Sequence, residues 1–347
     1  MTSQPRSLLI TIGTHDRRPW WWNYIDREAL GCVLDHKVVL VRSGRPTRIM
    51  SGGFLRVFIQ VLWILIPGRS RYRHIITIEG GWLTFIVAFI QSALMLRTPR
   101  HVIIQFIMRE KNRSLKSRTK YFFMRSCLFS VYLVICSSRS ERQYYKAVFG
   151  WNDDKIYYIP FHTDPKFISY RPILEEEFIV SAGRTFRDYP TLVAAFSVSA
   201  FPLIIVASRS SINGAKVTPN IRVLYDIPPS ELTSLMSRSI AVVLPLEDRM
   251  ISVGQSVLLQ AMALGKPVVA TSVNGTKDYI EHMETGLLVP PNDPKAIADA
   301  VGLLIADKDL RTKLGRAAQE RIKNMHLPSH YAQAVSLRLQ QLESKRP

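Results

Sequence analysis

Cysteine is scarce in this chain. Its 347 residues contain three, Cys32, Cys127 and Cys136, and an odd number at these spacings builds neither a disulfide framework nor a thiolate metal site. Reduced thiols in a cytoplasmic protein are the expectation. A long apolar run is also lacking. MTSQPRSLLITIG is too short in apolar residues for a signal peptide and reads as the approach to a first strand. A membrane-spanning helix needs about 20 apolar residues; Leu55–Ile66 is shorter and contains Arg56, and Gly80–Leu96 follows Glu79 and contains Gln91. There is no short-period repeat and no low-complexity segment, which excludes a solenoid and a disordered polymer. Acidic residues are missing unevenly. Residues 1–150 hold 7 Asp and Glu against 24 Lys and Arg, whereas residues 151–347 hold 20 against 22.

The length suits two domains, and 47% hydrophobic residues suffice for ordinary cores. The net charge of +19 resides almost wholly in the first half, so that half is expected to meet an anionic partner. Nucleic acid, anionic lipid and a polyanionic substrate all fit the charge, but no nucleic-acid recognition motif accompanies it. Arg17-Arg18-Pro19 runs into Trp20-Trp21-Trp22, and Lys111–Lys120 is crowded with cations. Tryptophan favours the lipid–water boundary and cations favour acidic headgroups, so an anionic membrane surface is the expected partner. Location is then peripheral, on the inner face of the membrane. The alternative is a solvated basic face with a tryptophan cluster in the core.

Apolar runs alternate with helical patterns along the whole chain. In the first half strands are expected at Leu8–Gly13, Lys37–Val41, His74–Ile78, His101–Ile107, Val131–Cys136 and Lys155–Pro160. Leu55–Ile66 is apolar on nearly all sides and is expected to stop at Pro67-Gly68. Helices are expected at Trp82–Leu96 and Ser114–Phe129. In the second half strands are expected at Phe178–Ala182, Leu203–Ala207, Ile221–Leu224, Ile240–Leu244, Val268–Thr271 and Gly286–Val289. Between and after them the pattern predicts helices at Tyr189–Val198, Pro229–Ser237, Val253–Leu264, Thr276–His282, Pro294–Ala306, Leu310–Lys323 and His330–Leu342. Such alternation implies parallel sheets with helical crossovers. A linker is placed at Phe161–Ile173, giving domains at 1–165 and 172–325 and a closing helix in 326–347.

Two turns carry chemistry. In SVGQSVLLQAMALGKPVVAT, Ser252 and Gln255 form a capping-box pattern at the start of a helix that Gly265 ends. Free N–H groups and the helix dipole make such a start an anion site, so Ser252, Val253 and Gly254 are candidates to hold a diphosphate. In SAGRTFRDY, Gly183 permits a tight turn, and Arg184 and Arg187 leave it with the geometry that suits phosphate. Ligands in doubly wound folds bind outside the carboxyl ends of the strands, where both turns and Asn274-Gly275-Thr276 fall.

The second half resembles the C-terminal domain of the group 1 family of retaining glycosyltransferases. The Gly183-Arg184 turn, PNIRVLYDIPPSELTSLMSRSIAVVLP, LLQAMALGKPVVATSVNGTKDYI and TGLLVPPNDPKAIADAV carry the resemblance, over Val180–Asn324. The first half matches only in outline, through CSSRSERQYYKAVFGWNDDKIYYIPFHTD. The resemblance implies an α/β protein of GT-B fold, with two Rossmann-like doubly wound parallel-sheet domains facing a central cleft that holds a nucleotide-sugar donor, without metal or cofactor. It implies that Arg184 binds the donor diphosphate and that Tyr225 and Ile227 lie against the base. Arg187 is the nearest cation to the lysine the family usually carries. The family's two glutamates, eight positions apart, are here Ser252 and Gln260. Gln260 can still bond ribose hydroxyls, but Ser252 offers no carboxylate; Glu247 or Asp248 upstream is the nearest substitute.

The expected activity is transfer of a hexosyl unit from the nucleotide sugar to a lipid-linked or polysaccharide acceptor, with retention implied by the resemblance. Arg184, Arg187 and the helix start would stabilise the leaving diphosphate. Glu79, Glu110 and His15, at the ends of first-half strands, are candidates to assist the acceptor hydroxyl. Two alternatives stand beside this: a GT-B nucleotide-sugar epimerase, and a catalytically impaired scaffold that binds the nucleotide sugar in a glycan-assembly complex. The loss of both glutamates favours the latter.

Overall fold

The computed structural model describes residues 6–13, 33–40, 53–170, 174–212 and 217–344. His15, Cys32 and the Trp20–Trp22 run lie outside them. The chain forms two compact units, Met1–Ile159 with Tyr331–Pro347, and Pro160–His330. Each is built on a parallel six-stranded sheet.

In the first unit β1 (Arg6–Gly13), β2 (Val33–Leu40), β3 (His74–Ile78), β4 (Arg100–Ile104), β5 (Leu133–Cys136) and β6 (Ile156–Tyr158) lie in the order β2-β1-β3-β4-β5-β6. The helices are α1 (Gly53–Arg71), α2 (Trp82–Ala93), α3 (Leu115–Cys127) and α4 (Arg139–Phe149). Strand alternation sends successive side chains to opposite faces. Leu8, Ile10 and Ile75 pack with Val57, Val61 and Leu65 of α1 and Leu83, Val87 and Ile90 of α2. Leu9, Ile76, Val102 and Leu133 pack in the other core. Both faces are thus covered, which explains why these strands read as continuous apolar runs.

The second unit holds β7 (Ile179–Ala182), β8 (Leu203–Ala207), β9 (Ile221–Tyr225), β10 (Ala241–Leu244), β11 (Val268–Thr271) and β12 (Leu287–Val289). Its helices are α5 (Tyr189–Ser197), α6 (Pro229–Arg238), α7 (Gln255–Ala263), α8 (Pro294–Ala306) and α9 (Lys308–Met325). The strand order is β12-β11-β10-β7-β8-β9. Counted within the unit this is the Rossmann order, whose direction reverses between β7 and β10; ligands bind at such a switch point. The last helix, α10 (Pro328–Ser344), returns to the first unit, where Tyr331, Val335, Leu339 and Leu342 close the second core face. Glu343 near its end pairs with Arg73 at 2.7 Å and lies 3.7 Å from Arg100.

Four expectations need correction. The first helix does not stop at Pro67-Gly68 but runs to Arg71 with Pro67 inside it. Leu65 and Tyr72, buried on either side, hold this end of the helix in the core. The helix expected at Val253 begins at Gln255, because Gly254 adopts the left-handed conformation (φ 88°) and serves as its N-cap. Thr276–His282 is a succession of turns: Thr276 Oγ1 donates to the Thr271 carbonyl at 2.6 Å and accepts from the Val273 N–H at 3.1 Å. Such local side-chain bonding competes with a helix. Finally, the start of the expected linker is tied into the second unit: the Phe161 N–H donates to Tyr279 Oη at 2.9 Å and the Thr163 N–H to the His326 carbonyl at 2.9 Å.

Candidate functional site

The loops after β7 and β10 flank the switch point of the second unit, and the backbones of Arg187 and Leu246 bridge them. Gly183 leaves β7 with φ 142°, a conformation open to glycine and few others. The reason for a glycine is also steric. A Cβ there would lie 2.2 Å from Arg187 Nε and 2.4 Å from its Cζ. The guanidinium of Arg187 therefore lies flat across Gly183. Its Nε donates to the Ala182 carbonyl at 3.0 Å and its Nη1 to the Thr185 carbonyl at 2.9 Å. On its far side Nη1 lies 3.7 Å from where a Cβ on Gly254 would be. Two glycines thus bracket one cation.

Arg187 is only 9% exposed, and burial pushes its guanidinium down from its ordinary range. No carboxylate pairs with it among the described residues. A buried cation held by carbonyls alone is short of negative charge. The start of α7 stands beside it. The first bond of that helix joins the Leu258 N–H to the Gly254 carbonyl, so the N–H groups of Gln255, Ser256 and Val257 precede the ladder and carry the positive end of the dipole. Gly275 closes the back: a Cβ there would sit 2.8 Å from Val253 N, and Gln255 Nε2 donates to its carbonyl at 3.3 Å. Gly254 rather than Ser252 is the N-cap of α7, and no side chain caps this helix start, so the expected capping box of Ser252 and Gln255 does not begin it.

The remaining candidates in this unit lie around the cradle. The Arg184 side chain is 69% exposed and pairs with the exposed Asp226 at 3.8 Å. Tyr225 and Ile227 follow at the end of β9, where the Arg209 guanidinium covers the Tyr225 ring at 4.9 Å. Gln260 Nε2 donates to Thr233 Oγ1 at 2.9 Å, and that hydroxyl donates to the Pro229 carbonyl at 2.9 Å. Glu247 accepts from Arg249 Nε at 2.9 Å, while Arg249 also lies over the Phe186 ring at 5.0 Å.

In the first unit the strand order reverses between β1 and β3. Glu79 follows β3 there, exposed and with φ 62°; its N–H donates to the Ile104 carbonyl at 3.0 Å and its own carbonyl accepts from Thr84 Oγ1 at 2.8 Å. Glu110 lies half-buried after β4. His15 lies outside the described residues. The sequence reading missed what fixes the segment around Glu110. Tyr145 Oη accepts from the Met108 N–H at 2.8 Å, Tyr144 Oη accepts from the Lys111 N–H at 2.7 Å, and Tyr121 donates to the Arg109 carbonyl. Gly80 completes the fit, since a Cβ there would meet Met108 and the Ile107 carbonyl at 2.6 and 2.7 Å. The available signal was the capping-box pattern of Ser138 and Glu141: Ser138 Oγ accepts from the Glu141 N–H and Glu141 Oε2 from the Ser137 N–H, which fixes the start of α4 and so its tyrosines.

Comparison with known proteins agrees with this geometry. Residues 207–321 match the family described as glycosyl transferases group 1. A stretch of 100 residues is 36% identical to the D-inositol 3-phosphate glycosyltransferase of Corynebacterium urealyticum, covering 29% of this chain and 23% of that enzyme. The chain spans less than a third of the length of the curated relatives it matches first, from 7% to 28%. Among solved structures, sucrose-phosphate synthase from Thermosynechococcus elongatus has a TM-score of 0.71 at 19% identity, over 99% of both chains. Anabaena HepE in complex with UDP has a TM-score of 0.70 at 15% identity, over 97% of this chain and 100% of that one. The chain therefore has the GT-B fold, and residues 207–321 of its second unit are similar in sequence to the group 1 glycosyl transferases.

Proposed function

We propose that this chain is a metal-independent glycosyltransferase that moves a hexosyl unit from a UDP-linked sugar to a lipid-linked or polysaccharide acceptor, with retention. The observation that carries the reading is the buried Arg187 guanidinium, bracketed by Gly183 and Gly254 beside the start of α7. As the glycosidic bond breaks, negative charge grows on the departing diphosphate. A fixed guanidinium and a helix dipole stabilise that charge with no reorganisation. Arg184, exposed at the same turn, adds a second cation from the solvent side. Tyr225 and Ile227 offer a surface for the base. HepE, solved with UDP and with UDP-glucose, supports a uridine nucleotide. Glu79, Glu110 and His15 are the candidates to take the proton of the acceptor hydroxyl.

The same reading places the first unit at an anionic membrane surface. No helix among the described residues is long and apolar enough to cross a membrane. Instead, Trp63 of α1 is 75% exposed, and Leu55 and Ile59 on the same helix, Trp82 and Phe89 on α2 and Phe123 on α3 are exposed to a lesser degree. Ring contacts link Phe58 to Phe89 at 6.5 Å and Phe89 to Phe123 at 6.2 Å, so α1, α2 and α3 present a connected aromatic strip. Lys116, Arg118 and Lys120 on α3 suit acidic headgroups beside it.

A second reading, a nucleotide-sugar-binding scaffold, is favoured by Ser252 and Gln260 at the positions of the family's glutamates, and by the pairing of Glu247 with Arg249. Incubation with UDP-glucose decides among the outcomes. Slow release of UDP and glucose supports the transferase; saturable binding without release supports the scaffold; no binding of any nucleotide sugar overturns both.

A further inference from the structure

A cavity of about 1110 Å³ opens on the first unit, at the sheet edge opposite the loops that carry Glu79 and Glu110. It lies where β4, β5 and β6 begin, between the end of α2, the last turns of α3 and the segment Asn152–Lys155. Catalysis in this fold has no use for that edge, since ligands of doubly wound sheets bind at the carboxyl ends of the strands. Yet the lining has a definite chemistry. Arg97, Arg125 and Lys155 contribute three cations, and Met95, Phe122 and Phe129 form an apolar rim. Phe122 is 76% and Phe129 83% exposed.

Lys155 is the central group. Its Nζ donates to the Phe129 carbonyl at 2.8 Å and lies over the Phe129 and Trp151 rings at 5.6 and 5.9 Å. Among the described residues it forms no salt bridge, and burial pushes its ammonium down to about 8. A half-buried cation resting on aromatic rings and a single carbonyl is stabilised by an incoming anion. The other charged groups of the lining are committed elsewhere. Arg100 lies 3.7 Å from Glu343 and covers the Tyr132 ring at 4.7 Å, and Asp154 lies 3.5 Å from Arg338. The net field in the cavity is therefore positive.

The apolar rim decides what kind of anion fits. A free inorganic anion has no use for Met95, Phe122 and Phe129. An amphiphile does: its phosphate meets Lys155 and the two arginines while its chains leave over the rim. The next residue of α3, Phe123, contacts Phe89 of α2 at 6.2 Å.

We propose that this cavity binds one acidic phospholipid, its headgroup phosphate held by Lys155, Arg97 and Arg125 and its acyl chains laid over Met95, Phe122 and Phe129. The membrane reading supplies the source of the lipid, but the site stands on its own geometry. Bound there, a lipid would fix the first unit on the bilayer at a place remote from the chemistry. The test uses the full chain and monomeric short-chain lipid, below its micelle concentration, so that it is independent of vesicle attachment. Dihexanoyl phosphatidylglycerol is titrated against wild type, Lys155→Met and Arg97→Gln/Arg125→Gln, with dihexanoyl phosphatidylcholine and inorganic phosphate as the other arms. The double variant changes two exposed side chains and keeps the fold if Lys155→Met does not; UDP affinity and the melting temperature report that. Saturable binding of the acidic lipid, weakened at least about tenfold in the variants while UDP affinity is unchanged, is the expected result. Equal affinity for phosphatidylcholine, equal affinity for inorganic phosphate, variants that bind as wild type, or no saturable binding would each overturn it.

Discussion

Adding one methyl group at Gly183 should disable the phosphate cradle. In Gly183→Ala the new Cβ would lie 2.2–2.4 Å from Nε, Cζ and Nη2 of Arg187, more than 1 Å inside ordinary carbon–nitrogen contact of about 3.5 Å. The φ of 142° adds a backbone strain of about 1–3 kcal/mol. The flexible partner is the arginine, so the guanidinium must leave its two carbonyls and its place beside Gly254. A charge-assisted hydrogen bond to a diphosphate contributes about 1.5–3 kcal/mol, which sets the loss of UDP affinity at roughly 10- to 150-fold. Arg187→Gln should show a similar loss. The two changes together should cost scarcely more than either alone, since the methyl has then nothing left to displace. Titration calorimetry with UDP on wild type, both single variants and the double variant measures this cycle, with circular dichroism to verify the fold. Unchanged affinity in Gly183→Ala, or losses that simply add, would refute the reasoning.

Three other outcomes are expected. UDP release from UDP-glucose should persist in EDTA if Arg184, Arg187 and the start of α7 stabilise the leaving group as proposed; complete loss restored by magnesium would contradict this. Stability should fall in acid. His162 and His326 are held at about 4 and His101 at about 3, each chiefly by burial, so the unfolded chain binds more protons below its own histidine pKa of about 6.5. Their contribution is present above that pH and is lost on descending to about 4, with a limiting slope of about 1.4 kcal/mol per pH unit per histidine; a melting temperature flat over this window would count against it. Vesicles containing acidic lipid should retain the chain, less so at high salt, and Trp63→Ser with Phe123→Ser should lower retention. Equal recovery on neutral vesicles would dismiss the membrane surface.

The strands were legible because buried parallel strands are apolar on both faces: His74–Ile78, Leu203–Ala207 and Val268–Thr271 have the same bounds in sequence and structure. Helix ends were less so, for local reasons. Ser252 and Gln255 match a capping box, but the pattern does not reveal that Gly254 takes a left-handed turn between them. Pro67 reads as a stop, yet burial of Leu65 and Tyr72 outweighs one missing backbone donor. In the site, Gly183 and Arg187 could be chosen from their turn. Their relation to Gly254 could not, because Arg187 reaches it only when β7 and β10 are neighbours, a fact of strand order. The tyrosine clamp on Met108–Lys111 was hidden for the same reason: its parts are separated by 12 to 37 residues.

A crystal of the chain soaked with UDP tests the cradle most directly. Diphosphate density bridging the Arg187 guanidinium and the N–H groups of Gln255 and Ser256, at hydrogen-bond distances of about 2.7–3.2 Å, is the predicted result. Diphosphate density elsewhere, with Arg187 still resting on its two carbonyls and no anion beside it, would contradict it.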